Sequence, residues 1–139
     1  MIEDAPVSEI MTKNIIALTR SDDLERAEVL FKRHKIKHIP VVAEQTIIGM
    51  LSFTDLMRIS YAEVDSEASN SVDSVVYNMF TIEQVMVKDV VTVASETTIK
   101  EVTEILAGRE FHALPVVDDG DLVGIVTTRD LLNYYLKQY

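Results

Sequence analysis

The apolar positions of the chain run through one order twice. A short turn with helical spacing (Val7–Met11) leads into a brief apolar strand (Ile15–Leu18), and Ile82–Met86 with Val90–Val93 repeat the pair. A polar cluster follows, Ser21-Asp22-Asp23 in copy one and Ser95-Glu96-Thr97-Thr98 in copy two. Its side-chain oxygens can accept from the free N–H groups of a helix start. Leu24, Ala27, Leu30 and Phe31 then recur at helical spacing, as do Ile99, Val102, Ile105 and Leu106, and each set predicts one buried helix face. Two strands come next, His38–Val42 and Ile47–Ser52, matched by Ala113–Val117 and Leu122–Thr127 around an Asp118-Asp119-Gly120-Asp121 turn. A second amphipathic helix closes each copy, near Thr54–Tyr61 and Arg129–Lys137.

The two copies superpose without a gap. With Met11 laid on Met86, an offset of 75 residues, Lys13 meets Lys88, Leu24 meets Ile99 and Leu30 meets Ile105. Pro40-Val41-Val42 falls on Pro115-Val116-Val117, Gly49 on Gly124, and Asp55-Leu56 on Asp130-Leu131. Chance matching of apolar residues does not produce a shared Pro-Val-Val, Gly and Asp-Leu in one register, so the chain is an internal repeat.

The predicted fold class is α+β, with two β-α-β-β-α repeats. One repeat alone has too little core to be stable. Two can pack through their sheets with pseudo-twofold symmetry. The organisation read from this is repeat one over 1–62, an acidic Ser-rich loop and linker over 63–81, and repeat two over 82–139. Glu63 to Ser74 holds Ser, Asp and Glu without Lys or Arg, and reads as a loop.

Composition narrows the function. The 139 residues are 47% hydrophobic, enough for a sizeable core in a chain the size of one ordinary domain. Apolar runs fall short of the roughly 18–20 residues that span a bilayer, and Met1-Ile2-Glu3-Asp4 is acidic, so neither a membrane anchor nor a secretory signal is expected. With no cysteine, disulfides, thiolate nucleophiles and Cys-based zinc sites are excluded, which fits a cytoplasmic location. A net charge of −10 argues against nucleic acid, whose binding draws on Lys and Arg neutralising phosphates. A small phosphorylated ligand needs only two or three local cations and stays open.

Candidate chemistry gathers at the end of the second strand. Copy one reads Gly49-Met50-Leu51-Ser52-Phe53-Thr54-Asp55, and copy two Gly124-Ile125-Val126-Thr127-Thr128-Arg129-Asp130. A carboxylate at a strand-to-helix junction can accept two hydrogen bonds from a vicinal diol such as a ribose. The hydroxyl three residues earlier, with the helix-start N–H groups, can hold a phosphate. The plainer explanation is a capping arrangement that merely starts a helix. Duplication does not decide between the two, because duplicated structure duplicates its caps.

The register, the Pro-Val-Val strand and the Gly-apolar-apolar-(Ser/Thr)-x-x-Asp ending resemble a tandem pair of CBS domains, named after cystathionine β-synthase and often called a Bateman module. The resemblance covers about 7–60 and 82–136 and is to the stand-alone bacterial or archaeal type. It implies a regulatory module, not an enzyme, that binds AMP, ADP, ATP, S-adenosylmethionine, NAD or a cyclic dinucleotide in clefts between the repeats. No catalytic cofactor or catalytic residue is implied. The motif carboxylates, here Asp130 and Asp55, would hold the ribose, with Thr127 and Ser52 near the phosphate. Thr12, Ile16, Ala17 and Ile36 would line the adenine pocket of the Asp130 cleft, and Val87, Val91, Thr92 and Phe111 that of the Asp55 cleft. Basic residues before the Pro-Val-Val strand, Lys37, His38 and His112, are phosphate candidates by the same resemblance.

The copies differ in ways that favour the Asp130 cleft. Val87 lacks the hydroxyl of Thr12, and Arg129, a further phosphate candidate, stands where copy one has Thr54. Lys13 and Arg109 read as surface charges. His34 and His38 are four apart, but Ile36–Pro40 reads as the exit from a helix, so no shared face and no metal site are expected. The four glycines form no phosphate loop, and Ser, His and Asp stand in no catalytic context. The helices around Leu56–Tyr61 and Leu131–Tyr139 carry more apolar surface than one buried face needs, which predicts a homodimer through them. Two rival functions remain: a structural or protein-interaction module with empty clefts, and the regulatory piece of a larger enzyme, channel or transporter.

Overall fold

A computed structural model describes residues 5–63, 79–110 and 112–139. The expected loop beyond Glu63 and the adenine-pocket candidate Phe111 lie outside the described residues. A 3-10 turn over Val7–Glu9 precedes α1 (Leu24–His34), β1 (His38–Ala43), β2 (Thr46–Ser52) and α2 (Phe53–Glu63). Then come α3 (Ile82–Val85), α4 (Ile99–Ala107), β3 (Ala113–Asp118), β4 (Asp121–Thr127) and α5 (Thr128–Leu136). The α+β class predicted from the periodicity holds.

The caps fall where the polar clusters predict them. Asp23 Oδ1 accepts from Arg26 N at 2.8 Å to start α1, and Thr98 Oγ1 accepts from Glu101 N at 3.1 Å to start α4. The expected strands at Ile15–Leu18 and Val90–Val93 shrink to single parallel bridges, Leu18 to Val41 and Val93 to Val116. A tight polar turn follows each bridge. Asp22 accepts from Thr19 N at 2.8 Å, and Thr97 Oγ1 accepts from Ala94 N at 3.0 Å.

The hairpins β1–β2 and β3–β4 are antiparallel and share one irregularity, a register shift at Val41/Val42 and at Val116/Val117. The tight turns differ. Glu44 takes φ 58°, whereas Asp119 and Gly120 both have positive φ, 50° and 86°, the pattern that Asp-Gly favours. Copy two also carries its own lock. Asp118 accepts from Ser95 Oγ at 2.6 Å and Ser95 N at 3.0 Å, and these donors hold its carboxyl pKa below the ordinary value.

Packing does not follow the repeat boundaries. One compact unit is continuous, Ile16–Asp89; the other is discontinuous and joins the chain up to Ile15 to Val90–Tyr139. Each unit is therefore completed by the segment that leads into the other copy's first bridge. In the discontinuous unit Val7 N donates to Thr97 O at 2.7 Å and Ile99 N to Ala5 O at 2.8 Å. Thr12 then exchanges both backbone bonds with Ile125 of β4, at 2.8 and 3.0 Å. In the continuous unit Val87 does the same with Met50 of β2, both at 2.9 Å.

These segments also fill the cores. Ile82 is fully buried beside Leu18, Leu24, Ile39, Leu51 and Leu56; Val7 is fully buried with Val102, Leu114, Val116 and Val126. Such a side chain contributes about 1.5–3 kcal/mol by leaving water. The Arg20–Glu83 pair at 3.4 Å is exposed and adds little.

The pairing of Thr12 and Val87 needs glycine opposite. A Cβ on Gly49 would lie 2.9 Å from both Val87 O and Met86 Cγ, and nearer still to the Met86 sulfur. The three atoms nearest a Cβ on Gly124 all belong to the Met11 side chain, with Cγ at 2.9 Å. Flexible thioether can move aside; a paired carbonyl cannot. Gly49→Ala is expected to destabilise by about 1–3 kcal/mol in urea unfolding, and Gly124→Ala by less. Met11→Ala should relieve the Gly124→Ala penalty in a double-mutant cycle, and Met86→Ala should not relieve that of Gly49→Ala. Equal penalties with equal relief would contradict this account.

Candidate functional site

Each unit ends its hairpin alike. β2 stops at Ser52 and β4 at Thr127, and a helix begins at the next residue. Phe53 N donates to Lys37 O and Thr128 N to His112 O, both at 2.9 Å, which brings the chain before each hairpin against the helix start. Ser52 Oγ then accepts from Asp55 N at 3.0 Å, and Thr127 Oγ1 from Asp130 N at 3.1 Å. The capping explanation weighed from the sequence is thus realised at both junctions.

The carboxylates diverge. Asp130 Oδ2 accepts from Thr127 N at 3.0 Å and closes a reciprocal capping box that fixes the side chain against its own helix start. Asp55 Oδ1 instead takes Arg58 Nη1 at 3.1 Å. In both, the second carboxylate oxygen accepts no hydrogen bond from the described residues. Each junction thus combines an open acceptor with a hydroxyl, groups that a diol and an anion can use, while Phe53 N, Asp55 N, Thr128 N and Asp130 N are already bonded.

The sequence-predicted residues sort cleanly by unit. The continuous unit gathers Lys37, His38, Ser52 and Asp55: His38 pairs with Ser52 across the hairpin, and Lys37 Nζ lies 4.8 Å from the Phe53 ring centre. The discontinuous unit gathers His112, Thr127, Arg129 and Asp130, with His112 and Arg129 exposed. Thr12 pairs with Ile125, two residues before Thr127, and Val87 with Met50, two before Ser52. So Thr12 shares a unit with Asp130, and Val87, half exposed, shares one with Asp55.

The remaining adenine-pocket candidates belong to the opposite units. Ile16, Ala17 and Ile36 lie in the continuous unit, Val91 and Thr92 in the discontinuous one. Ile16, Ile36 and Val91 are partly buried against their own cores; Ala17 and Thr92 are exposed. His34 ends α1 and His38 opens β1, so the two do not share a helix face.

Two participants were missed by sequence reasoning. Arg58 sits three residues after Asp55 on α2, a spacing that was available as a signal. Phe53 as the platform for Lys37 was not, because that contact depends on how β1 and α2 meet.

The chain belongs to the CBS domain family, which matches it twice, at residues 7–62 and 82–137. The tandem pair read from the internal repeat is therefore a CBS pair. Protein MJ1225 of Methanocaldococcus jannaschii is 25% identical over 134 residues, covering 96% of this chain and 48% of the relative, and its structure superposes with TM-score 0.82. The inosine-5'-monophosphate dehydrogenase of Korarchaeum cryptofilum is 28% identical over 120 residues, 86% of this chain and 22% of the enzyme. The chain thus spans about half of one relative and about a fifth of the other. Two further solved structures share the fold. CBSX2 in complex with AMP has TM-score 0.79 at 22% identity, covering 96% of this chain and 98% of that one. The CBS pair of MJ0100, with 5'-methylthioadenosine and S-adenosylmethionine, has TM-score 0.78 at 23% identity, covering 94% and 99%.

The difference between the carboxylates gives a stability test. Asp130→Ala leaves Thr127 N without its acceptor and is expected to destabilise by about 1 kcal/mol. Asp55→Ala removes only a solvent-screened pair with an arginine that is 72% exposed, and should change stability by less than about 0.5 kcal/mol. Urea unfolding of both variants checks this, and an Asp55→Ala penalty equal to that of Asp130→Ala would refute it.

Proposed function

We propose that this CBS pair is a cytoplasmic regulatory module that binds an adenine nucleotide or adenosyl ligand and controls a partner rather than catalysing a reaction. Asp130 and Asp55 hold ribose hydroxyls, while Thr127 and Ser52, aided by Arg129, His112, Lys37 and His38, face the phosphate. Thr12 and Val87 stand beside the two junctions, the first with a hydroxyl to offer adenine and the second without. One observation carries the reading: a carboxylate with an open oxygen beside a hydroxyl recurs at both strand-to-helix junctions. The AMP and the adenosyl compounds held by CBSX2 and MJ0100 support the ligand class. Regulation follows only if the ligand favours one arrangement of the module over another.

A thermal-shift series with AMP, ADP, ATP, S-adenosylmethionine, NAD and cyclic dinucleotides tests this. A ligand at 100 times its Kd should add about 2.7 kcal/mol, readily seen in a domain this small. The shift should shrink in Asp130→Ala and vanish when Asp55→Ala is added. A shift that survives both changes places the site elsewhere.

The realised caps favour a second reading, a structural or protein-interaction module whose Ser/Thr and Asp serve only the helices; no shift from any ligand would support it. The short span of the chain within its larger relatives fits a regulatory piece of a bigger protein.

The apolar surplus of α5 supports a homodimer as part of the proposal. Leu132 and Leu136 are one helical turn apart and 60% and 68% exposed, which water alone does not reward. Light scattering is expected to give twice the monomer mass at micromolar concentration, and Leu132→Glu/Leu136→Glu to return a monomer. A parent that is already monomeric would sink the dimer.

A further inference from the structure

The duplicated fold supplies its own control, since a residue needed by the fold should appear in both copies. At three positions around the junctions copy one carries a cation and copy two does not: Lys35 against Glu110, Lys37 against His112, and Arg58 against Asn133. Thr54 against Arg129 and His34 against Arg109 run the other way. The cations of copy one are therefore not required to build the hairpin or start the helix.

Two of them meet the first turns of α2. Lys37 Nζ rests over Phe53, the first residue of α2, and Arg58 Nη1 reaches Asp55 Oδ1 at 3.1 Å from the same helix. Lys35 caps α1 with φ 55°, two residues before Lys37. Coulomb energy falls with distance and is screened within about 10 Å at ordinary ionic strength, so cations this close to the junction act on a ligand there, and remote acids do not cancel them.

Arg58 is held weakly. Its pair with Asp55 is three residues apart and the guanidinium is largely in water, so breaking it changes an equilibrium only about twofold. It spends one of five N–H donors on Oδ1 and leaves Oδ2 open. A ribose on that carboxylate carries its 5' phosphates within one side-chain length, where a guanidinium can pair two phosphate oxygens at once. At the other junction Asn133 brings no charge at the position of Arg58.

We infer that Arg58, with Lys37 against the first residue of the same helix, makes the Asp55 junction the site for the more highly phosphorylated ligand. The Asp130 junction is left to a nucleoside with one phosphate or none. This rests on the nucleotide-binding reading above and adds which junction takes which phosphate load.

Swapping the residue between copies tests it. Asp130→Ala leaves only the Asp55 junction, and Asp55→Ala only the Asp130 junction; calorimetry with adenosine, AMP and ATP gives Kd for each. In the Asp130→Ala background, Arg58→Asn should lower the preference for ATP over adenosine by about three- to tenfold, while adenosine affinity changes by no more than about twofold. In the Asp55→Ala background, Asn133→Arg should raise that preference by a similar factor. Nucleotide binding that persists with an ATP-to-adenosine ratio unmoved by either swap overturns this inference alone. No binding of any of the three to either background overturns the nucleotide reading and this inference with it.

Discussion

The close pass of Thr12 along β4, and of Val87 along β2, is the constraint on which each unit depends. Two backbone hydrogen bonds hold each residue against a strand that already has a hairpin partner on its other side. The approach is possible because Gly124 and Gly49 leave room where the thioethers of Met11 and Met86 lie. It delivers Ile82 to one core and Val7 to the other, and it sets a residue beside each strand end where the Ser/Thr and Asp sit. Glycine, methionine and the paired backbone form one device, repeated at equivalent positions of the two copies.

The strand-to-helix junctions serve two purposes with the same atoms. Ser52 and Thr127 satisfy N–H groups that a helix start would otherwise leave bare, and the carboxylates still have an oxygen to spare. A cap needs a short polar side chain at a fixed spacing; a diol site needs a carboxylate held still. Asp130 meets both needs through its own backbone partner, whereas Asp55 leans on Arg58. Two copies that began alike have therefore been steadied by different means, one by a backbone bond and the other by charge.

Much of this was legible in the sequence because the relevant physics is local. The apolar faces of α1 and α4, the caps at Asp23 and Thr98, and the Asp119-Gly120 turn each follow from residues a few positions apart. The strands predicted at Ile15–Leu18 and Val90–Val93 were too long: only their last residues, Leu18 and Val93, reach a partner strand, and apolar character does not say where a strand finds its partner. At the site, Ser52, Asp55, Thr127 and Asp130 could be named from one motif. Lys37 over Phe53 could not, since it joins residues sixteen apart through the meeting of β1 and α2. Least legible was the exchange of lead-in segments: Val7 and Ile82 show as apolar, but periodicity does not say which copy's core receives them.

That exchange has a consequence for how the chain is made. The continuous unit, Ile16–Asp89, has all its parts once residue 89 has left the ribosome, and it can close while synthesis goes on. The other unit cannot. Its first piece, with Val7 and Thr12, is synthesised before the continuous unit, whereas its partners Thr97 and β4 come after that unit. Across these two units the segment made first is among the last to find its place, so order of synthesis and order of assembly run in opposite directions.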